Sequence, residues 1–399
     1  MSTLKVDAIR HNSATSDAIT TASDGTCTAR ITGMTGGSGL SHRNLIINGG
    51  MKVCQHSNSN SEAITGGGYH TVDMFKTVAN SSMTYAVTMS QENDNPDGLG
   101  KSVKLLTTTA KTPSGSENYI LRYTGEEQDI SGAGLGTSSC KQLTISFSVK
   151  TNKTGTHGFQ IYLGNNQPNM TVAYTVSSAN TWERKTITFP TYTSSYSHNS
   201  DNAKGFMIDW NLASGPSDIM APYNWATGST AARGVTGQVN MLDTVGNYFQ
   251  LTNVQLEIGD TATSFENRSF SDELRRCQRY YYQVGGQRND GGPDEPYGVI
   301  LPFAMVATSI RAKGVLQHPV NMRAAPGVSS GGSGAAKIQM GDRTGSGDLA
   351  YQSLWVNSNS TKYTWIEFSP NSGTISYQNE PGIIYANNNT FHLKVSAEL

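Results

Sequence analysis

Carboxylate side chains are the first candidates for catalysis, because cleavage of a sugar chain needs two of them held opposite each other in a cleft. Glu126, Glu127 and Asp129 are close in sequence, and a charge cluster on a surface loop is the simplest interpretation. The sequence contains no GxSxG, HExxH, P-loop or GxGxxG motif. Four isolated acids could still pair across strands: Asp73, Asp209, Asp243 and Glu257. We therefore expect no enzyme, with a polysaccharide-cleaving protein as the alternative.

The histidines and cysteines lack the spacing of a metal site. The eight histidines are scattered, without the i, i+4 or short-loop pairs of a zinc site. The cysteines are far apart and form no CxxC pair: Cys27, Cys54, Cys140 and Cys277. One loop is dense in oxygen ligands that could hold calcium: Asn93, Asp94, Asn95 and Asp97. The twelve-residue calcium-loop pattern is absent, so a polar turn ending at Gly98 is favoured and we expect no metal and no cofactor.

Aromatic residues in polar loops could bind sugars, since rings pack on the apolar faces of pyranoses while amides and carboxylates bind the hydroxyls. Two long polar loops, Tyr192 to Lys204 and Ser214 to Gly237, contain the candidates: Tyr192, Tyr196, Tyr223 and Trp225. Asn199, Asp201 and Asn224 lie beside them in sequence. The alternative is that these rings pack under their own loops. Trp182, Trp210, Trp355 and Trp365 have strand-like neighbours, which predicts structural roles.

Composition indicates an all-β protein that does not bind nucleic acid. The 399 residues include 42 glycines, only 15% are charged, and Ser, Thr and Asn are abundant where helix formers are sparse. A net charge of -1 without a Lys/Arg cluster argues against a nucleic-acid surface. The sequence has no apolar run long enough for membrane insertion and no N-terminal apolar segment typical of a signal peptide.

The segment from Tyr248 to Tyr282 divides the chain. In its first part, apolar and polar residues alternate as in a β-strand. This alternation changes phase near Thr252 and Asn253, which predicts a β-bulge. Ser269 precedes Asp272 by three residues, the spacing of a helix N-cap. A helix this short must dock on its own domain or on neighbouring copies.

Four regions follow from this division. Residues 1–40 contain short β-prone pieces between polar turns, too few to close a core, so we expect them to wrap against copies of themselves or another protein. Residues 41–268 read as an antiparallel β-sandwich of jelly-roll type, with its first strand at Leu45 to Ile47 and alternating runs such as Leu143 to Val149. A connecting helix spans residues 269–284. Residues 285–399 read as a small β domain with a Gly/Ser-rich loop from Val328 to Gly347.

Hydrophobic residues in the dependent parts of the chain are candidates for an interface between subunits. Three consecutive tyrosines, Tyr280 to Tyr282, cannot face one way on a helix, so at least one must meet another domain or another subunit, and we favour the subunit. The predicted docking residues are Leu4, Val6, Ile9, Ile19, Ile31, Leu274, Tyr280 and Tyr281.

Several segments resemble bacteriophage tail-fibre and related virion-fibre proteins, especially those of marine, cyanophage-like podophages. STLKVDAI followed by DGT resembles their virion-anchoring segment, and RNLIINGGMKVCQ resembles the opening strand of their jelly roll. NYFQLTNVQLEIGDTATSFENRSFSDELRRCQRYYY resembles its closing strand and exit helix. HPVNMRAAPGVS and KVSAEL resemble the C-terminal β unit.

The resemblance implies a homotrimer that is part of the virion. Its N-terminus would attach to phage tail or capsid proteins, and its jelly roll, similar to carbohydrate-binding modules, would bind host surface polysaccharide or lipopolysaccharide during adsorption. The chain lacks a long repetitive shaft, a heptad run and an intramolecular chaperone domain. Attachment to the tail and attachment to the capsid therefore both stay open, as does a decoration protein without a receptor role.

Overall fold

The structure is a computed structural model, and the residues that it describes are 6, 8–9, 19–21, 23, 27–29, 43–57, 60–80, 86–98, 100–164, 168–198, 201–226, 233–285, 297–308, 311–332, 336–339, 351–370, 381–386 and 391–399. Within them the chain is nearly all β, which confirms the predicted class. Among the described residues, no helix has the length and hydropathy needed to cross a bilayer.

Three short strands, β1 (Ala8–Ile9), β2 (Ile19–Thr21) and β3 (Cys27–Ala29), pair as an antiparallel meander near the N-terminus. Val6 and Ile9 are exposed and Ile19 is half-buried. The chain itself therefore leaves apolar surface here, and the predicted docking role of these residues stays a prediction. Leu4 and Ile31 lie outside the described residues.

The central region is a sandwich of two antiparallel sheets. Its elements are β4 (Ser61–Ile64), β5 (Gly68–Tyr69), β6 (Phe75–Ala79), β7 (Ala86–Glu92), β8 (Ser102–Thr109), β9 (Asn118–Glu126), α1 (Glu127–Ile130), β10 (Leu143–Thr151), β11 (Gly155–Leu163), β12 (Asn169–Val176), β13 (Glu183–Phe189), β14 (Lys204–Ser214), β15 (Ile219–Met220), β16 (Tyr223–Ala226), β17 (Gly234–Val235) and β18 (Tyr248–Ile258). In strand order, the front sheet is β13-β10-β18-β8-β7-β4 and the back sheet is β16-β12-β11-β14-β9-β6-β5. The alternating runs form the strands that the sequence predicts.

The core lies between the two sheets. Trp210 of β14 is fully buried, and the rings of Phe147 and Phe159 lie edge-on to it at centroid distances of 5.6 Å. Its structural role is confirmed. On β10 the core residues occupy alternate positions, Leu143, Ile145, Phe147 and Val149, so this strand contributes one face to the core.

The predicted first strand at Leu45 to Ile47 is wrong. Leu45 donates one strand-like hydrogen bond to the carbonyl of Leu256, at 2.9 Å. Side chains take the neighbouring bonds: the main-chain N–H of Ile46 donates to the Asn44 amide oxygen and that of Ile47 to the Tyr123 hydroxyl. The segment is extended, but no strand is formed.

Helix α2 (Phe270–Gln278) follows the sandwich and docks on it. The Ser269 hydroxyl accepts a hydrogen bond from the main-chain N–H of Asp272 at 3.2 Å, which confirms the N-cap. Cys277 is buried in the sandwich core and Leu274 packs against that core. Leu274 is half-buried by this contact, so its predicted intersubunit role stays a prediction.

The tyrosines after the helix are also buried within the chain, which corrects the interface prediction for Tyr280 and Tyr281. The chain turns from helix to strand at this point, so the three rings face different neighbours. The Tyr280 hydroxyl donates to the buried carboxylate of Glu126 in the sandwich. Tyr281 stacks on the His56 ring at 3.6 Å, and Tyr282 belongs to a second core. The tyrosines thus contact other domains of the same chain, which is the alternative to the predicted contact with another subunit.

That second core belongs to a C-terminal β unit. Its strands are β19 (Tyr281–Gly285), β20 (Tyr297–Thr308), β21 (Arg311–Gln317), β22 (Gly327–Gly331), β23 (Ala336–Gln339), β24 (Tyr351–Asn359), β25 (Tyr363–Pro370), β26 (Pro381–Ala386) and β27 (His392–Ser396). They form two sheets, β19-β27-β22 and β23-β26-β20-β21-β25-β24. The predicted loop from Val328 to Gly347 is wrong where β22 and β23 run, because both strands pair with later strands of the unit.

Polar contacts join the C-terminal unit to the sandwich. The Arg323 guanidinium donates to the carbonyl oxygens of Asn202 and Ala397, each at 2.7 Å. Arg279 makes two hydrogen bonds of 2.8 Å to the buried Glu126 carboxylate. The C-terminal unit is therefore stabilised in part by contacts with the sandwich of the same chain.

Candidate functional site

An open cleft crosses the outer face of the front sheet, and we name it the outer cleft. Its volume is about 410 Å³, within the range of small-ligand sites. Two loops, at residues 93–98 and 263–267, stand on either side of it. The cleft is lined by Pro96, Asp97, Ser148, Trp182, Arg184, Asn253, Ser264, Phe265 and Asn267.

The floor of the outer cleft is polar because it consists of outward-facing residues of three adjacent strands. Arg184 of β13 lies opposite Ser148 of β10, which in turn lies opposite Thr252 of β18. Asn253 follows at the predicted bulge, where the β10–β18 register shifts and its φ is 53°. The bulge is confirmed. Since a bulge re-aims the side chain of its strand, it brings the Asn253 amide to the cleft.

Trp182 forms one wall, and two contacts fix its ring. The indole N–H donates to Asp94 at 3.0 Å, and the Lys150 ammonium lies 5.8 Å from the ring centroid. Burial alone would raise the pKa of Asp94, but the hydrogen bonds from Lys150 and Trp182 lower it below its usual value. Asp94 thus stays an ionised acceptor. Trp182 is half-exposed at the cleft, so its prediction as a purely structural residue is incomplete.

Phe265 also lines the cleft, on a loop tied down at both ends. Thr263 donates to Glu257 through its main-chain N–H and its hydroxyl. The main-chain N–H of Glu266 donates to the Gln255 side chain at 2.7 Å. Phe265 lies close to Gly50, where an added Cβ would be 3.4 Å from the ring. The loop therefore presents the ring without needing a ligand to order it.

This arrangement suits a sugar. Two rings in the lining offer apolar faces, while the other lining residues offer a guanidinium, two amides, two hydroxyls and the Asp97 carboxylate. Sites of this kind fix ligand orientation with a few polar groups on a rigid scaffold. Because the walls are held by hydrogen bonds within the chain, little order is lost on binding.

The predicted sugar-binding aromatics lie elsewhere. Tyr192 is buried, which removes it as a surface platform. Trp225 packs edge-on against it at 5.8 Å and donates its indole N–H to the Pro190 carbonyl at 2.8 Å. Tyr192 therefore packs under its own loop, whereas Trp225 is a half-buried residue of β16 whose role with glycans stays a prediction.

The other two predicted aromatics are held by polar partners. The Tyr196 hydroxyl donates to Glu127, and the Tyr223 hydroxyl donates to Asn169 at 2.6 Å. Each ring is half-buried. Their role with glycans stays a prediction, and neither lines the outer cleft.

The acids at the end of β9 are not a surface-loop cluster. Glu126 and Glu127 are buried, because the strand carries them to the junction with α2 and the C-terminal unit. Glu126 is bound by Arg279 and Tyr280, and Glu127 by Tyr196 and His198. Burial raises the pKa of the adjacent Asp129 to about 6, and the Glu126 charge adds to the shift. These partners account for Glu126 and Glu127 structurally.

The four isolated acids are likewise bound by structural partners. Asp209 accepts two hydrogen bonds of 2.6 Å from Arg122, and Asp243 pairs with Lys153. Asp73 accepts from Gln55, and Glu257 from Thr263. Within the described ranges, no group of three or more His, Cys, Asp or Glu side chains is placed to hold a metal ion. The turn predicted at Gly98 is confirmed by the hydrogen bond from its N–H to the Asn95 carbonyl.

Sequence reasoning missed Arg184, Ser148, Phe265 and Asn267 as site residues. One signal was present: the phase change at Asn253 marks where the front sheet re-aims a side chain. The rest required the strand order, because residues 96 and 265 meet only through the pairing of β13, β10 and β18.

No protein-family model and no curated protein matches the sequence. Among solved structures, the enzymatically active domain of bacteriophage CBA120 tailspike protein 4 aligns with 55% of this chain and 22% of its own, at 13% identity and a TM-score of 0.29. The family 11 carbohydrate-binding module of a Clostridium thermocellum cellulosomal cellulase aligns with 51% of this chain and 99% of its own, at 13% identity and a TM-score of 0.26. TmCBM61 in complex with β-1,4-galactotriose covers 54% and 99%, at 11% identity and a TM-score of 0.21. At these values the likeness concerns the β-rich fold alone.

Proposed function

We propose that this chain is a virion fibre or spike protein of a bacteriophage, and that its sandwich binds host surface glycans through the outer cleft. The observation that carries the glycan part is the pair of fixed rings, Trp182 and Phe265, above a polar floor. The sequence resemblance to virion fibres supports the assignment to a particle. Attachment by residues 1–40, homotrimer assembly and a role in adsorption belong to the same proposal.

The proposed role is binding without cleavage. Glycosidases use two carboxyl groups on either side of the scissile bond. Among the described residues that line the cleft, Asp97 is the one acid. Weak single sites would then gain avidity from several copies on one particle.

Substitution of Trp182 tests the glycan site directly. Trp182→Ala removes one wall and should weaken binding to host envelope polysaccharide by about 2 kcal/mol, or about thirtyfold, as truncation of a buried anchor ring typically does. Tyr248→Ala is the matched control, since Tyr248 is also a half-exposed aromatic residue of the front sheet but lies outside the cleft. Isothermal titration and a glycan array would measure both. Equal affinities of the two variants would contradict the site, and shortened sugar products would contradict binding without cleavage.

Removal of residues 1–40 tests the virion part. The truncated chain should fold, because the buried residues of the sandwich core that the structure describes lie between Ile46 and Tyr280, but it should be absent from purified particles. Mass spectrometry of particles assembled with either chain would show this. Incorporation of the truncated chain would refute N-terminal attachment.

A further inference from the structure

The charges around the outer cleft are unbalanced. Arg184 is exposed on the floor and forms no ion pair among the described residues. Its Nη2 group donates to the Ser146 hydroxyl at 3.2 Å and to the Thr263 carbonyl. These bonds hold the guanidinium in place but do not neutralise it, since both acceptors are uncharged.

Two lysines add to the positive charge near the cleft. The Lys52 side chain lies beside Gly50, which contacts Phe265, and its ammonium donates to the Arg268 carbonyl at 2.9 Å. The Lys101 ammonium donates to the Asn93 side chain on the loop that carries Asp97. Neither lysine has a carboxylate partner among the described residues.

The nearby acids do not offset these three cations. Asp94 is already paired with Lys150 at 2.8 Å. Glu257 binds Thr263 and lies 3.6 Å from Arg43, and Glu266 accepts from the Asn44 N–H. Asp97 is then the one acid in the cleft without an ion pair within the described part of the chain. Arg184 is therefore the one cation in the described lining of the cleft, and Lys52 and Lys101 add positive charge near it.

We infer that the outer cleft selects glycans that carry an anionic group, a carboxylate or a phosphate, and that Arg184 meets this group. The inference rests on the proposed glycan-binding function and adds the class of sugar. The Nε and Nη1 groups of Arg184 donate to no described acceptor, so they are available to an oxyanion. A guanidinium binds such groups through charge-assisted hydrogen bonds, which are stronger than those of a neutral amide.

Matched glycan pairs test the inference. Bacterial surface polysaccharides that contain uronic acids would be presented natively and after carboxyl reduction, and phosphorylated ones before and after dephosphorylation. The wild-type protein should bind the acidic form at least about tenfold more tightly than its neutral counterpart, which corresponds to one charge-assisted hydrogen bond. The carboxylate and phosphate arms identify which anion is preferred. Raising the salt concentration should weaken the acidic form alone.

Variants of Arg184 test whether this residue causes the preference for acidic glycans. Arg184→Gln should bring the affinities for the acidic and the neutral form to within twofold of each other, and an unchanged urea unfolding curve would show that the variant is folded. Arg184→Lys should retain part of the preference, and Lys362→Gln, an exposed lysine of the C-terminal unit, should change nothing.

Two outcomes would overturn the inference, and they are distinguishable. Equal binding of acidic and neutral forms, both lost in Trp182→Ala, would leave the glycan function standing and remove the charge selectivity. Binding of no glycan in either form would remove the proposed function and the inference with it.

Discussion

At the scale of single residues, the sandwich places ionisable groups where water does not reach. Asp73 is buried and accepts a hydrogen bond of 2.7 Å from the main-chain N–H of Gln55. Burial raises its pKa to about 6, although His56 and Gln55 favour the charged form. His157 is the opposite case, because burial lowers its pKa to about 4. Both groups couple folding to pH, with opposite signs.

Asp73→Asn should change how stability depends on pH. Between about pH 4 and pH 6 the folded chain holds a proton on Asp73 that the unfolded chain releases, so the free energy of unfolding falls as the pH rises through this window. A shift of about two pKa units corresponds to about 3 kcal/mol at most. As the pH rises over a similar window, the contribution of His157 increases the free energy of unfolding. The quantity to measure is therefore the difference in the free energy of unfolding between wild type and Asp73→Asn, by urea denaturation at pH 4, 5, 6 and 7. Parallel curves would contradict the prediction, because they would show that folding does not shift the pKa of Asp73.

At the scale of elements, the outer cleft depends on how β18 closes the front sheet. The bulge at Asn253 lets Phe249 and Leu251 face the core before it, and Val254 and Leu256 after it. Gly49 completes this arrangement, because its carbonyl accepts from the Val254 N–H and an added Cβ would lie 2.1 Å from the Val254 oxygen. Core packing and cleft geometry therefore share one backbone irregularity.

Substitutions at Asn253 separate these two roles. Asn253→Gly should keep the free energy of unfolding within about 0.5 kcal/mol, since glycine adopts a positive φ readily. It should still weaken glycan binding, because the amide is lost from the cleft. Asn253→Val should cost about 1–2 kcal/mol, the penalty for a branched side chain in the left-handed region. Thermal and urea unfolding would measure this, and a valine variant as stable as the glycine variant would argue against the bulge.

Patterns along the chain predicted most of the elements but little of the site. The run from Leu143 to Val149, the cap at Ser269 and the bulge near Asn253 are local, since each depends on residues within a few positions. The surroundings of Glu126 could not be predicted, because its hydrogen-bond partner Arg279 lies 153 positions later in the chain. The cleft could not be predicted from the sequence for the same reason, because its lining comes from loops that only the strand order brings together.

At the scale of the whole molecule, one sheet face of the C-terminal unit is apolar and exposed. Val315 and Trp365 lie directly opposite each other on β21 and β25, with exposed fractions of 57% and 42%. Phe303 and Met305 of β20 line the same hollow. The predicted packing of Trp365 within the chain is thus wrong, and the Trp355 side chain lies outside the described residues. A patch of this kind is typical of an interaction surface.

The proposed trimer would cover this face with copies of the same chain. Val315→Lys places a charge in the centre of the apolar row and should shift the assembly towards monomer, because a desolvated, unpaired ammonium is costly. Val245→Lys is the matched control, since Val245 is 62% exposed on the sandwich and outside the row. Size-exclusion chromatography with light scattering at micromolar concentration would compare both variants with wild type. A monomeric wild type would refute the trimer, whereas a trimer that survives Val315→Lys would move the seam to another surface, with Val6 and Ile9 as the next candidates.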